Sequence, residues 1–281
     1  MKKLIDMHTH TNYSDGDLTP KELIDLAKKE NIKVLGITDH DTLEGIKNIP
    51  KDIKDIQIVK GIELTAKVEK GRMHILGYNI DDTNEELNNK MIDLKNKSTN
   101  SVISLIEQLK RDYQIFFTHA EIKELINYNH NLGRPDLARL LVKKGYVKTV
   151  QEAFDKYLIK AYETTRKVNK NLMPEECLKL ISNSAGIPVL AHPHSLELTN
   201  EELEKLICKM IKQGLKGIEV YHSDHTKEQE EYYLSLAIKY NLLISGGSDY
   251  HGPITKPDIF IGKGKNNINI EELSLINNLF E

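Results

Sequence analysis

Residues 4–16, Leu-Ile-Asp-Met-His-Thr-His-Thr-Asn-Tyr-Ser-Asp-Gly, start as a short apolar strand and run directly into His-x-His. Side chains two apart on an extended strand share a face, so His8 and His10 can aim both imidazoles at one point. Asp15 follows in the loop as a third potential ligand. Six similar residues come later: His40 in ITDHDT, Glu63 in GIEL, His74 in GRMHILGY, His192 in AHPH, and Asp249 and His251 in GGSDYHG. Imidazole nitrogen mixed with carboxylate oxygen is the ligand set of Zn, Mn and Fe hydrolytic centres, not of a structural thiolate site. The pattern favours a metal-dependent hydrolase.

Outward from that stretch, short β-branched runs alternate with amphipathic ones. Strands are predicted at 32–38, 56–64, 187–192, 216–222 and 242–249, with a hairpin over 65–78 turning at Glu69–Arg72. Helices are predicted near 174–185, 200–213 and 226–240, and a DIFIG strand with a helix near 270–280 closes the chain. The helix after the first strand opens at Thr19, where Glu22 completes a capping box and Pro20 suits the first helical position. Alternating strands and helices predict a mainly parallel sheet. About seven such units favour a closed (β/α) barrel, because the candidate ligands then converge at the mouth formed by the strand ends. Residues 84–165 break the rhythm with successive helices at 84–110, 119–127, 134–145 and 149–158. They read as a helical insertion near the active-site mouth, carrying GRPDLAR, with the barrel formed by 1–83 and 166–281.

The chain of 281 residues carries 39 Lys and Arg against 42 Asp and Glu, a balance without the basic footprint of a protein that grips long nucleic acid. A phosphorylated substrate would have to be drawn locally. The N-terminus lacks the uninterrupted apolar run of a secretory signal, and no later run is long and apolar enough for a membrane. Cys177 and Cys208 lack a CxxC partner and read as reduced thiols of a cytoplasmic protein.

Each motif has a plainer reading beside the chemical one. Asp39 and Asp41 flank His40, and either could accept its second ring N–H and so fix its tautomer, or merely cap the turn that follows. Glu63 ends an apolar run, where an unpaired carboxylate is costly; it bridges cations or pairs with a basic side chain. His74 taken alone is an ordinary strand histidine. His222 and His225, in YHSDH, are substrate-contact candidates or surface polar residues, with His222 favoured because it follows a strand directly. Arg134, at a predicted helix N-terminus, suits a bidentate phosphate contact or a salt bridge to Asp136.

These pieces in this order resemble the PHP family of polymerase and histidinol phosphatase domains. The matching motifs are D-x-H-x-H from Asp6 to His10, Ser14-Asp15-Gly16, ITDHDT, GIEL, HILGY, AHP, GIEVYH and GGSDYHG, and GRPDLAR has a counterpart. Within the family the chain looks most like stand-alone nucleotide phosphoesterases, which implies an α/β fold, a distorted (β/α)7 TIM-like barrel with an inserted helical domain. The resemblance implies two or three divalent ions, Mn first, with Fe or Zn as alternatives. His8, His10, Glu63 and Asp249 would hold one ion and its reactive water. Glu63, His74 and His192 would hold a second, and Asp15, His40 and His251 a third. One departure is Asp136, where several relatives have His.

The implied activity is hydrolysis of phosphate monoesters of small nucleotides, a nucleoside 3',5'-bisphosphate or AMP, by hydroxide at the metals, with Arg134 and His222 on the phosphoryl group. The alternatives on the same scaffold are 5'-3' exoribonuclease action on short RNA and histidinol phosphatase activity. A C–N hydrolase of the amidohydrolase type also starts with H-x-H but usually wants a bridging lysine and fewer early ligands. A non-catalytic metal-binding module would bind metal without turning over any ester. The expected partner is a small phosphorylated substrate, with no long nucleic acid, membrane or obligate protein partner.

Overall fold

The computed structural model describes residues 4–126, 132–160 and 172–280. They fall into two compact units, Met1–Asn89 with Asn171–Glu281, and Lys90–Lys170.

In the first unit seven strands form one sheet in sequence order: β1 (Leu4–Asp6), β2 (Ile32–Ile37), β3 (Gln57–Ala66), β4 (Met73–Tyr78), β5 (Ile187–Leu190), β6 (Gly217–His222) and β7 (Leu243–Gly247). Neighbours pair in parallel except at β4, which is antiparallel to both β3 and β5. The extensions beyond β1 and β7 close the ring. Met7 N–H donates to Gly246 O at 3.2 Å, Asp249 N–H to His8 O at 2.9 Å, and His10 N–H to Tyr250 O at 2.9 Å. Such close passage needs a glycine, since a Cβ on Gly247 would lie 2.4 Å from the His8 nitrogen. The result is a nearly closed seven-stranded barrel, the architecture expected from the strand count.

The connecting helices begin where capping chemistry allows. The sequence α1 (Pro20–Lys29) opens on the Thr19–Glu22 capping box with Pro20 at its first turn. The later helices Asn200–Lys212 and Lys227–Tyr240 open on the equivalent Thr199–Glu202 and Thr226–Gln229 boxes. Ile5, Met7, Val34, Leu76, Tyr78 and Val189 share one apolar cluster with Ile270 and Leu273 of the C-terminal segment. Burial of that many aliphatic side chains, at about 1.5–3 kcal/mol each, is what holds the strands in register.

The expected DIFIG strand is absent. Residues 258–264 form turns with one isolated bridge, Phe260 to Gly264. Gly262 and Gly264 adopt φ of 71° and 58°, and the Gly262 N–H is drawn to Asp6 Oδ2 at 2.7 Å instead of a strand neighbour. The following helix is confined to Ser274–Phe280.

The second unit is helical. A 29-residue helix, Glu85–Tyr113, enters it and is followed by helices at His119–Ile126, Arg134–Lys143 and Val150–Ala153 and a π turn at Phe154–Leu158. Leu105, Leu109, Leu125, Leu137, Leu141 and Leu158 form its core. Asp136 caps the Arg134–Lys143 helix, accepting the Gly133 N–H at 2.8 Å and a bond from Arg139 at 2.9 Å. Among the described residues no helix is long and apolar enough to cross a membrane, and neither Cys177 nor Cys208 forms a disulfide.

Candidate metal centre

Glu63 is the hub of the site. Its fully buried carboxylate lies on β3 and meets five imidazoles. Oε1 is 2.9 Å from His74 Nδ1 and 2.9 Å from His192 Nε2, while Oε2 is 3.1 Å from His8 Nε2, 3.2 Å from His10 Nε2 and 3.2 Å from His40 Nδ1. Asp249 Oδ1 lies 3.2 Å from His10 Nε2, and Asp15 Oδ1 lies 3.2 Å from His251 Nε2. All nine candidate ligands are thus brought together in one unit.

The strand geometry explains how. His8, His10, His40, His192, Asp249 and His251 follow the ends of β1, β2, β5 and β7, as expected. Glu63 sits inside β3 instead, because that strand continues to Ala66 to pair with β4. His74 is at the start of β4, opposite Thr65, and reaches the same mouth only because β4 runs the other way.

The candidate ligands sort into three sets by proximity. His8, His10, Glu63 and Asp249 have potential ligand atoms within 4.8 Å of one another, as do His10, Asp15, His40 and His251, and likewise His40, Glu63 and His74. His192 joins the last set through Glu63 and through His74 Nδ1 at 3.3 Å.

Hydrogen bonds on the far side of the rings settle which nitrogen carries the proton. His8 Nδ1 donates to Glu219 Oε1 at 2.9 Å, and His251 Nδ1 donates to the Asp249 carbonyl at 2.8 Å. His192 Nδ1 is hydrogen-bonded to Ser195 Oγ at 2.8 Å, and the hydroxyl also lies 2.9 Å from the Arg72 and His192 carbonyls. In the neutral rings of His8 and His251, whose outer nitrogens face obligate acceptors, the other nitrogen is therefore a lone pair, and it faces a carboxylate oxygen. Lone pair against lone pair is stable only with a proton or a cation between them. His10 Nε2 and His40 Nδ1 are likewise buried and without a hydrogen-bond partner. This donor set fits divalent ions of the kind that take mixed imidazole and carboxylate ligands.

Electrostatics agree. Burial opposes ionisation of Glu63, yet His40, His8 and His74 outweigh it and hold the carboxyl well below its ordinary range. Burial likewise opposes the charge on His8, but Glu63 and Glu219 push its pKa well up. His10 rises to about 9 because Asp249 and Glu63 overcome its burial. His40 moves the other way, to about 3, because burial prevails over Glu63 and Asp15. Without cations, protons are shared unevenly over the lone pairs that a metal would claim.

Several supporting residues were not anticipated. Glu219, buried mid-strand in β6, orients His8 and also accepts the His192 N–H at 2.7 Å. Its signal was a lone carboxylate inside an apolar run, GIEV. Asp6 accepts from Ser248 Oγ at 2.5 Å and from Ser248 N–H at 2.9 Å, stapling β1 to the loop bearing Asp249. Lys256 reaches Asp249 Oδ2 at 2.6 Å. The expected role of Asp39 and Asp41 as acceptors for His40 is corrected. Asp39 takes Thr11 Oγ1 and Ser14 Oγ at 2.7 and 2.6 Å, fixing the loop of Asp15, and Asp41 Oδ1 takes the Thr65 N–H at 2.9 Å. The carboxylates facing the His40 ring are Glu63 and Asp15.

Of the substrate candidates, His222 ends β6 with Nε2 3.5 Å from Asp249 Oδ2. The Asp224 N–H donates to its Nδ1 at 3.0 Å, so the Nε2 of the neutral ring carries the proton. That makes His222 a donor and argues against a further cation among His194, His222 and His225, whose nitrogens also approach within 4.8 Å. His225 is turned away, donating from Nδ1 to the Val220 carbonyl at 2.8 Å. Arg134 belongs to the second unit, with its guanidinium 5.7 Å from the centre of the Phe154 ring.

The family model of the PHP domain matches residues 6–164, more than half of the chain. The chain belongs to the PHP family. Curated relatives include a 5'-3' exoribonuclease of Haemophilus influenzae, 29% identical over 255 residues that cover 90% of this chain and 92% of that protein. A phosphoribosyl 1,2-cyclic phosphate 1,2-diphosphodiesterase of Eggerthella lenta is 28% identical, covering 88% and 94%. A 3',5'-nucleoside bisphosphate phosphatase of Chromobacterium violaceum is 27% identical, covering 89% and 87%. Among solved structures, one described as a candidate metal-dependent phosphoesterase of Bifidobacterium adolescentis superposes with a TM-score of 0.74 at 29% identity, covering 93% and 92%. This PHP chain therefore shares nearly its full length with phosphoesterases of differing specificity.

Proposed function

We propose that this PHP protein is a metal-dependent phosphoesterase that hydrolyses phosphate monoesters of small nucleotides, such as a nucleoside 3',5'-bisphosphate or AMP. Two or three divalent ions, manganese foremost, would be held by His8, His10, Asp15, His40, Glu63, His74, His192, Asp249 and His251. The observation that carries this reading is the convergence of imidazole nitrogens and carboxylate oxygens around Glu63 and Asp15, with the outer ring nitrogens of His8 and His251 already committed as donors. Divalent ions there would supply Lewis acidity, lowering the pKa of water from about 15.7 towards roughly 7 and neutralising phosphoryl oxygens.

The protein's own groups do the rest. Glu63 fixes the spacing of two ligand sets by giving one oxygen to each. Glu219 accepts from the outer nitrogen of His8 and leaves the inward one for a cation, and Ser195 orients the His192 ring. Only three carboxylates belong to the ligand set, so a loaded pocket keeps net positive charge and attracts a dianionic phosphate into a slightly acidic protein. His222 presents its Nε2 proton beside Asp249, where it can bond a phosphoryl or leaving-group oxygen. The near balance of charge in the sequence suits a small substrate better than a long nucleic acid. Two cysteines outside any disulfide are in keeping with a cytoplasmic setting.

A second reading, 5'-3' exonuclease action on short RNA, is favoured by the similarity to the Haemophilus influenzae enzyme. Phosphate release from AMP, 3'-phosphoadenosine 5'-phosphate, histidinol phosphate and a 5'-phosphorylated RNA trimer separates the possibilities. The expected result is release from the two adenosine nucleotides above the other substrates. Cleavage of the trimer alone would replace the monoesterase assignment with the exonuclease.

A further inference from the structure

We propose that Lys256 contacts the substrate phosphate and tunes this site toward the dianionic terminal phosphate of a monoester over the singly charged phosphate of a diester. The inference rests on the phosphoesterase reading and adds a residue that no motif assigned.

Asp249 uses its two oxygens differently. Oδ1 faces the converging rings, at 3.5 Å from His8 Nε2, 3.2 Å from His10 Nε2 and 3.4 Å from His251 Nδ1. Oδ2 faces outward to Lys256 Nζ at 2.6 Å and His222 Nε2 at 3.5 Å. Lys256 and His222 therefore bring N–H groups to one edge of a carboxylate whose other edge belongs to the ligand cluster. An ammonium has three N–H donors, and Asp249 takes one. The Lys256 side chain is 33% exposed, and among the described residues its Nζ hydrogen-bonds only Asp249.

The lysine is also presented from a pinned turn. Its own N–H donates to Gly252 O at 3.0 Å, and Asp17 accepts from the Ile254 N–H at 2.6 Å and from Thr255 Oγ1 at 2.7 Å. An oxyanion seated beside Asp249 would meet this ammonium without a large rearrangement. A terminal phosphate carries about two charges at neutral pH, since its second pKa is near 6, and it has three free oxygens. A diester carries one charge and has two free oxygens. A fixed ammonium beside the centre thus gains most from the additional anionic oxygen of the monoester, acting as a point charge.

The test compares wild type with K256M, K256Q and K256R on p-nitrophenyl phosphate and bis(p-nitrophenyl) phosphate. It also measures inhibition by inorganic phosphate and divalent-ion content. The expected result is a fall of about 10²-fold in kcat/KM on the monoester for K256M and K256Q, as for loss of one donor to developing charge. The diester rate should change much less, the inhibition constant for phosphate should rise, metal content should stay at the wild-type level, and K256R should recover part of the monoester rate. Wild type without activity on any phosphate ester would sink the phosphoesterase reading itself. Active wild type whose variants keep the same monoester-to-diester ratio and the same phosphate inhibition would overturn the role of Lys256. Equal losses on both esters with lower metal content would also overturn it, leaving Lys256 as a prop for Asp249. If wild type cleaves no diester, phosphate inhibition decides, and an unchanged constant in K256Q refutes the contact.

Discussion

Glu63→Gln is expected to lower kcat/KM by at least about 10³-fold and to strip the protein of most bound metal. Removing a group that only orients a ligand typically costs about 10- to 100-fold in metal affinity or activity. Glu63 does more, because both of its oxygens face imidazole nitrogens, two around Oε1 and three around Oε2. Glutamine keeps the volume and so spares the packing of β3 against β4. It removes the negative charge and places an amide N–H₂ where lone pairs converge. Activity on p-nitrophenyl phosphate and elemental analysis of the purified variant check the prediction. A variant within tenfold of wild type, with its metal intact, would show that the carboxylate is only a partner for protonated histidines.

Removing the metal is expected to be nearly as severe. Exhaustive chelation should abolish phosphate release, and Mn²⁺ should restore it. Stability should fall as well, since ligands that bind only the folded state stabilise it by about 2.7 kcal/mol at a 100-fold excess over Kd. For a chain of this size that corresponds to a drop in Tm of roughly 5–10 °C on chelation. The empty cluster would have to accommodate Glu63, Asp15 and Asp249 beside six imidazoles through protonation alone, which His10, drawn up to about 9, and His40, driven down to about 3 by burial, answer in opposite directions. Differential scanning fluorimetry with and without chelator reads the shift. An unchanged Tm together with full activity after chelation would mean that the ions have no part in the reaction.

Much of this architecture is legible in the chain because local signals and long-range needs coincide. Apolar β-branched runs give β2, β5 and β6, and Thr19, Thr199 and Thr226 mark helix starts through boxes that close locally. The ligands stand out because ionisable residues at strand ends are costly unless used. What the sequence hides depends on distant partners. Glu219 matters through His8, 211 residues away, and Asp6 through Ser248, 242 residues away. The apolar DIFIG run reads as a strand, but Asp6 claims the Gly262 N–H and the glycines turn the chain. His74 is unremarkable until the antiparallel direction of β4 carries it to the mouth. Lys256 is invisible for a similar reason, since nothing local distinguishes it from a surface lysine.

Distant imidazoles and carboxylates are expected to hold divalent ions together at one mouth of the barrel. Anomalous diffraction from crystals of the manganese-loaded protein tests it most directly. Two or three peaks are expected, one among His8, His10, Glu63 and Asp249 and the others beside His74 with His192 and beside Asp15 with His40 and His251. Crystals of active protein with no anomalous peak within bonding distance of Glu63 would contradict it.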